Sequence, residues 1–232
     1  MTFGRALDLR PKNFPLTILG VRVEIPVTIS FEAQTVGGEL AVRVRAQGNL
    51  KGIQDKALEI ARSIPMPSDN CARTGVNPVV NSVDSASIAP AGSTAVIAIG
   101  GHVTGWTCVG PLKTVIGADS VTLSVPVQVN VVDQREVGLK LAGPVTVTTG
   151  HSLTEQVANL LAGDVSASIT TQLASALDAT QARATLPSLP GLDVIVQEAE
   201  FASNGNDLQV NASGMARMSS DAFNTLLQLL SR

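Results

Sequence analysis

The sequence predicts an α+β fold in which a long, strongly curved antiparallel sheet wraps around one long amphipathic helix, accompanied by two shorter helices. Three observations predict this arrangement. Residues 152–183 carry an apolar stripe with helical spacing, and residues 83–147 are nearly all strand-like. Hairpin-plus-helix patterns stand at both ends of the chain.

The long helix is predicted from its start signal and its apolar stripe. Ser152 followed by Glu155 forms a capping box, which satisfies backbone donors at a helix start. Steps of three and four then place apolar residues on one face. These are Leu153, Val157, Leu160, Leu161, Val165, Ile169, Leu173 and Leu177. At about 1.5 Å per residue the helix is roughly 45 Å long. The alternative is two shorter surface helices broken at Gly163.

The amino-terminal part is predicted to form strands followed by a short helix. We expect an irregular lead-in over residues 1–15 and a single domain over residues 16–232. Alternating apolar residues predict a strand from 16 to 34, bent or placed at an edge by Pro26. After a turn at 36–39 and a return strand, residues 50–64 read as a helix that Pro65 stops.

The middle of the chain is predicted to be a loop followed by long strands. The loop covers residues 65–82 and carries Cys71. Strands are predicted over 94–110, 119–132 and 135–150, and Gly100-Gly101 indicates a bulge or sharp bend. Long strands with glycine kinks are typical of a curved antiparallel sheet.

The carboxy-terminal part repeats the pattern of the amino-terminal part. A strand from 192, a turn at Asn204-Gly205-Asn206 and a return strand lead to a helix capped by Ser219. Because both ends show strand, turn, strand and helix, we expect the two units to occupy related places on one sheet. Duplication and convergence on hairpin chemistry both explain the likeness.

Composition excludes several classes of partner. The net charge is −3 with no basic cluster, so we expect no nucleic acid partner. No apolar window approaches the roughly 20 residues that span a bilayer, so we expect no transmembrane segment. Residues 1–10 are polar and mixed, so we expect no signal peptide there, and a leader that has been removed is compatible with the sequence.

The two cysteines, Cys71 and Cys108, lie in a polar loop and a strand-like setting, away from any CxxC or Cys/His cluster. A disulfide between them indicates an oxidising compartment. The alternative is two buried free thiols. Trp106, two residues from Cys108, is most simply a core residue beside that disulfide. Its other interpretation is an anchor at a membrane interface.

Reaction chemistry is not visible in the sequence. His102 and His151 are the only histidines, and neither belongs to a metal-binding or catalytic motif. We therefore expect no metal, no cofactor and no enzymatic activity.

The order of elements resembles the tubular lipid-binding superfamily, which includes the bactericidal/permeability-increasing proteins, the synaptotagmin-like lipid-transfer domains and bacterial envelope relatives. The resemblance covers roughly residues 16–232 and depends on stretches such as LDVIVQEAEFASNGNDLQVNASG and SVTLSVPVQVNVV. It implies an apolar cleft for an acyl chain or a sterol-like ligand, lined by the stripe of the long helix.

Two functions are therefore expected. The first is non-catalytic binding or transport of an apolar lipid in a periplasmic or secreted setting. The alternative is a structural or interaction module of the cell envelope, with a filled core, no small-molecule ligand and exposed strand edges that pair with other envelope proteins.

Overall fold

The computed structural model describes residues 7–8, 11–36, 39–66, 68–150, 170–171, 183–185 and 192–218. Within these residues strands dominate, and they form two antiparallel sheets of six strands each. The described helices are short.

Sheet 1 joins the amino-terminal strands to the carboxy-terminal hairpin. Its members are β1 (Leu7–Asp8), β2 (Lys12–Ile18), β3 (Val21–Val36), β4 (Glu39–Asn49), β11 (Leu192–Asn204) and β12 (Asp207–Met218). The order is β1-β3-β4-β12-β11, and β2 also pairs with β3. Because β4 pairs with β12, the two hairpin units lie side by side on one sheet, and this expectation is confirmed.

Sheet 2 is built from the middle of the chain. Its members are β5 (Gly75–Ala91), β6 (Thr94–Val109), β7 (Leu112–Asp133), β8 (Glu136–Leu141), β9 (Thr146–Thr149) and β10 (Arg183–Thr185). The order is β10-β8-β7-β6-β5, and β9 also pairs with β7. Gly100 and Gly101 lie opposite one of the two bulges of the neighbouring strand β5, the one between Val83 and Ser85, which confirms the predicted irregularity at these glycines.

Two helices, α1 (Lys51–Asp55) and α2 (Ala57–Arg62), connect the sheets. They correspond to the helix predicted over residues 50–64, interrupted at Lys56. Helix α2 buries Ala57 and Ala61 and packs against β5.

The core lies where the two sheets face each other. Its buried members are Leu50, Ala95, Val125, Val127, Val129, Val145, Phe201 and Leu208. Most are aliphatic, as a chain with 3% aromatic residues requires. A backbone hydrogen bond of 2.8 Å from the Val196 nitrogen to the Gln134 oxygen also joins the sheets.

The predicted α+β fold class, with one sheet around a long helix, is wrong. In the described part of the chain, two sheets pack on each other, and no long amphipathic helix is present. The reason is that alternation shows which face of a strand is buried but does not identify the element that covers it. Of the predicted helix at 152–183, Thr170 and Thr171 are helical and Arg183 belongs to β10, while its other residues lie outside the described ranges.

Several predicted boundaries are also corrected. Strand β5 begins at Gly75, inside the predicted loop 65–82. The strand predicted over 135–150 is divided into β8 and β9, both paired with β7. The predicted lead-in, residues 1–15, contains β1 and the first part of β2, and both strands pair with β3. The helix predicted from Ser219 lies outside the described residues.

Candidate functional site

The apolar stripe predicted to line a lipid cleft lies outside the described residues. This applies to Leu153, Val157, Leu160, Leu161, Val165, Ile169, Leu173 and Leu177. Their contact with a ligand therefore stays a prediction, and the candidate site is built from other parts of the chain.

An open groove of about 480 Å³ lies where β11 passes the end of β7. It is lined by Val131, Gln197, Glu198, Ala199 and Glu200, next to the bulge of β11. Small-molecule ligands usually occupy enclosing pockets with a mostly apolar lining. This groove is open and carries the two carboxylates of Glu198 and Glu200. We therefore do not assign an acyl-chain site to this groove.

The Cys71–Cys108 disulfide is present, as predicted, with its two Cα atoms 5.7 Å apart. It joins Cys71, in the loop before β5, to Cys108, one residue before the end of β6. Asn77, which is buried, fixes the same loop through three hydrogen bonds. Its Nδ2 donates to the carbonyl oxygens of Arg73 and Gly75, and its Oδ1 accepts from the Arg73 nitrogen. The loop and the disulfide therefore hold one end of the β6–β7 hairpin.

The end of this hairpin, residues 109–115, exposes large apolar side chains, and we call it the β6–β7 tip. Val109 and Leu112 form the last pair of the two strands, and Gly110 turns the chain with φ +58°. Val109 is 62% exposed, Leu112 70% and Val115 50%. Val109 and Leu112 lie on one face of the hairpin and Val115 lies on the other, so the tip exposes apolar side chains on both faces. Exposed apolar side chains of this kind often mark a surface that binds something else.

The surroundings of the β6–β7 tip are weakly basic. Trp106 is partly buried and lies opposite Val115, while Lys113 lies opposite Cys108. Residues 103–118 contain no aspartate or glutamate. A tryptophan and a lysine beside exposed aliphatic residues are typical of surfaces at a membrane interface.

A second cluster, which the sequence did not reveal, surrounds His102. Its Nδ1 lies 2.7 Å from Oδ2 of Asp84 and 3.4 Å from Oγ of Ser82. Asp84 is the extra residue of a β5 bulge, and this re-aims its side chain toward His102. The hydrogen bond from His102, followed by one from Ser82, lowers the pKa of Asp84.

This cluster does not have the geometry of a catalytic triad. In a Ser-His-Asp triad the acid and the serine contact opposite nitrogens of the imidazole. Here Ser82 and Asp84 both contact Nδ1, and both Asp84 and His102 are at least half exposed. The cluster therefore joins the β5 bulge to β6, while His151 lies outside the described residues.

The described ranges show neither a metal-binding cluster nor a membrane-spanning helix. No group of three or more His, Cys, Asp or Glu side chains there could hold a metal ion. No helix within those ranges combines the length and apolar character needed to cross a membrane.

Comparisons with known proteins include a distant structural similarity. No protein-family model matches the sequence, and no curated protein matches it. Among solved structures, the crystal structure of a lipopolysaccharide binding protein is similar over 80% of this chain, with a TM-score of 0.40 and 13% identity. The chain spans 43% of that protein. At this distance the similarity does not assign a function.

Proposed function

We propose that this protein binds lipid without catalysing a reaction, and that it contacts the lipid surface through the β6–β7 tip. The observation that supports the proposal is the exposure of Val109, Leu112 and Val115 on a hairpin fixed by a disulfide. The disulfide also fits an extracytoplasmic location, because such bonds persist in oxidising compartments. Uptake of an apolar lipid into a cleft remains a separate expectation about the stripe.

The strength of the proposed contact can be estimated. Fully burying a valine or leucine contributes roughly 1.5–3 kcal/mol, so three partly exposed residues would contribute on the order of 3–4 kcal/mol. Lys113 would add about 1 kcal/mol beside anionic headgroups. A total of about 4–5 kcal/mol corresponds to a dissociation constant near 1 mM or slightly below. The tip alone would therefore bind reversibly and weakly.

An alternative is an interaction module that pairs strand β5 with another chain. The observation in its favour is that β5 is an edge strand of sheet 2 with 17 residues. Two features oppose strand addition. Pro78 and Pro90 remove backbone donors, and two bulges disturb the pairing of β5. Lipid binding is therefore the function that the geometry supports better.

The experiment measures co-sedimentation with vesicles of phosphatidylcholine, alone or mixed with phosphatidylglycerol. A Val109→Ser/Leu112→Ser double variant should bind at least about tenfold more weakly, because it loses most of the apolar contact. Val132→Ser is the matched control, since Val132 is also exposed but lies beside Asp133, away from the tip. Equal losses in both variants, or no binding by the wild type, would refute the proposal.

A further inference from the structure

The β2–β3 hairpin carries a second group of exposed apolar side chains. Strand β2 is exposed along nearly its whole length. Phe14 is 42% exposed, Leu16 38% and Leu19 50%. On the partner strand β3, Val21 and Val23 are buried. Strand β3 therefore packs into the protein, while β2 lies at the surface.

Leu19 has an unfavourable backbone conformation. Its φ is +48°, followed by +85° at Gly20, and it is the one non-glycine residue with positive φ in the described ranges. Two successive positive φ angles fit a type I′ turn, for which Asn-Gly is the favoured sequence. Leucine gains no local hydrogen bond there and clashes more than asparagine or glycine.

The stability of the fold explains neither the strained backbone nor the exposed side chain of Leu19. A strained residue would ordinarily be exchanged for asparagine, and an exposed leucine gains little from burial. Strained residues that persist at the surface are frequent at sites of binding. An external contact made by this side chain accounts for both observations.

The charges of the hairpin favour an anionic lipid surface as the partner. Residues 11–23 contain Lys12 and Arg22 and no acidic residue. Nζ of Lys56 donates to the Arg22 carbonyl oxygen at 2.9 Å, which adds a third basic group near the turn of the hairpin. Glu24 lies 3.3 Å from Arg22 and Glu59 lies 3.9 Å from Lys56, so these two carboxylates offset two of the three cations. Lys12, at the other end of the hairpin, leaves an excess of one positive charge. The whole chain, in contrast, has a net charge of −3.

We propose that the β2–β3 hairpin is a second lipid-inserting element, with Leu19 at its apolar end. The proposal rests on the lipid binding proposed above and identifies an additional contact and a preference for anionic headgroups. Two weak contacts on one protein reinforce each other when both reach the same lipid surface, because binding of the first raises the effective concentration of the second.

The experiment compares wild type, Leu19→Asn and Val109→Ser/Leu112→Ser in binding to mixed phosphatidylcholine–phosphatidylglycerol vesicles. Leu19→Asn should raise the denaturation midpoint, because asparagine tolerates the left-handed conformation. The same variant should bind vesicles about five- to tenfold more weakly, because it loses the inserted side chain. Opposite changes in stability and binding separate a direct contact from damage to the fold.

The possible outcomes are distinguishable. Normal binding by Leu19→Asn, with weak binding by the tip variant, would overturn this inference and leave the proposed function standing. A wild type that binds no vesicles would overturn both. Dimers that become monomers in Leu19→Asn, with unchanged vesicle binding, would show that a second copy occupies the hairpin and would also overturn the lipid assignment. A less stable Leu19→Asn would refute the argument from turn strain.

Discussion

The side chain of Gln54 connects the two sheets through Leu208. Its Oε1 accepts a hydrogen bond from the Leu208 nitrogen at 2.8 Å, and its Nε2 donates to the Ile88 carbonyl oxygen at 2.7 Å. Leu208 belongs to sheet 1 and Ile88 to sheet 2. One residue of α1 therefore satisfies backbone groups of both sheets beside the core.

Removing this connection should destabilise the protein. Gln54→Ala leaves the partly buried Leu208 N–H without its acceptor, which should lower the free energy of unfolding by about 1–3 kcal/mol. Gln47→Ala is the control, because the Gln47–Gln209 hydrogen bond of 2.9 Å is exposed. That control should change stability by less than about 0.5 kcal/mol. Urea denaturation of both variants measures the difference, and equal effects would contradict the assigned role of Gln54.

Gly214 permits close approach of β12 to the bulge of β11. A Cβ atom at this position would collide with the carbonyl oxygen of Ile195, which is backbone and cannot move aside. Gly214→Ala should therefore lower the free energy of unfolding by about 1–3 kcal/mol or more. At Gly143 the nearest atom to an added Cβ is Pro126 Cγ at 3.4 Å, an ordinary contact. Gly143→Ala should be nearly neutral, and a neutral Gly214→Ala would be inconsistent with this geometry.

The disulfide should contribute substantially to stability. Cys71 and Cys108 are 37 residues apart, for which the chain-entropy relation gives about 4 kcal/mol. The Cys71→Ser/Cys108→Ser variant should therefore unfold at a lower denaturant concentration than wild type under non-reducing conditions. Thiol titration of denatured wild type should find no free thiols, and finding two would contradict the bond.

The local elements were more predictable than their assembly. The hairpin of β11 and β12 follows from two alternating stretches around Asn204-Gly205-Asn206, because a short polar turn and the period of two act within neighbouring residues. Phe201 belongs to the same buried cluster as Val127 and Val129, and this cluster depends on contacts between distant segments. No local pattern encodes which face covers which, so the sequence did not show that sheet 1 and sheet 2 pack on each other.

The candidate sites also differ in how far the sequence predicts them. The disulfide could be predicted, because two cysteines allow one pairing. The exposure of Val109 and Leu112 could not, because alternation treats them like any other strand residues. The contact between His102 and Asp84 depends on a bulge in β5, and the glycines that indicate it lie on β6.

The contact between Asp84 and His102 leads to a prediction about pH. The hydrogen bond from His102 lowers the pKa of Asp84 below the ordinary aspartate value of about 3.9 in the folded state. Between these two pKa values the folded state binds fewer protons than the unfolded state, so stability rises with pH in that window. The contribution is present above the unfolded pKa and is lost as the pH falls through the folded pKa.

Asp84→Asn should therefore melt below wild type near neutral pH, and the difference should shrink in acid. Melting curves from neutral pH to below the folded pKa measure this, with Asp133→Asn as a control that does not contact His102. A difference that stays constant into acid would mean that the charge of Asp84 does not stabilise the bulge.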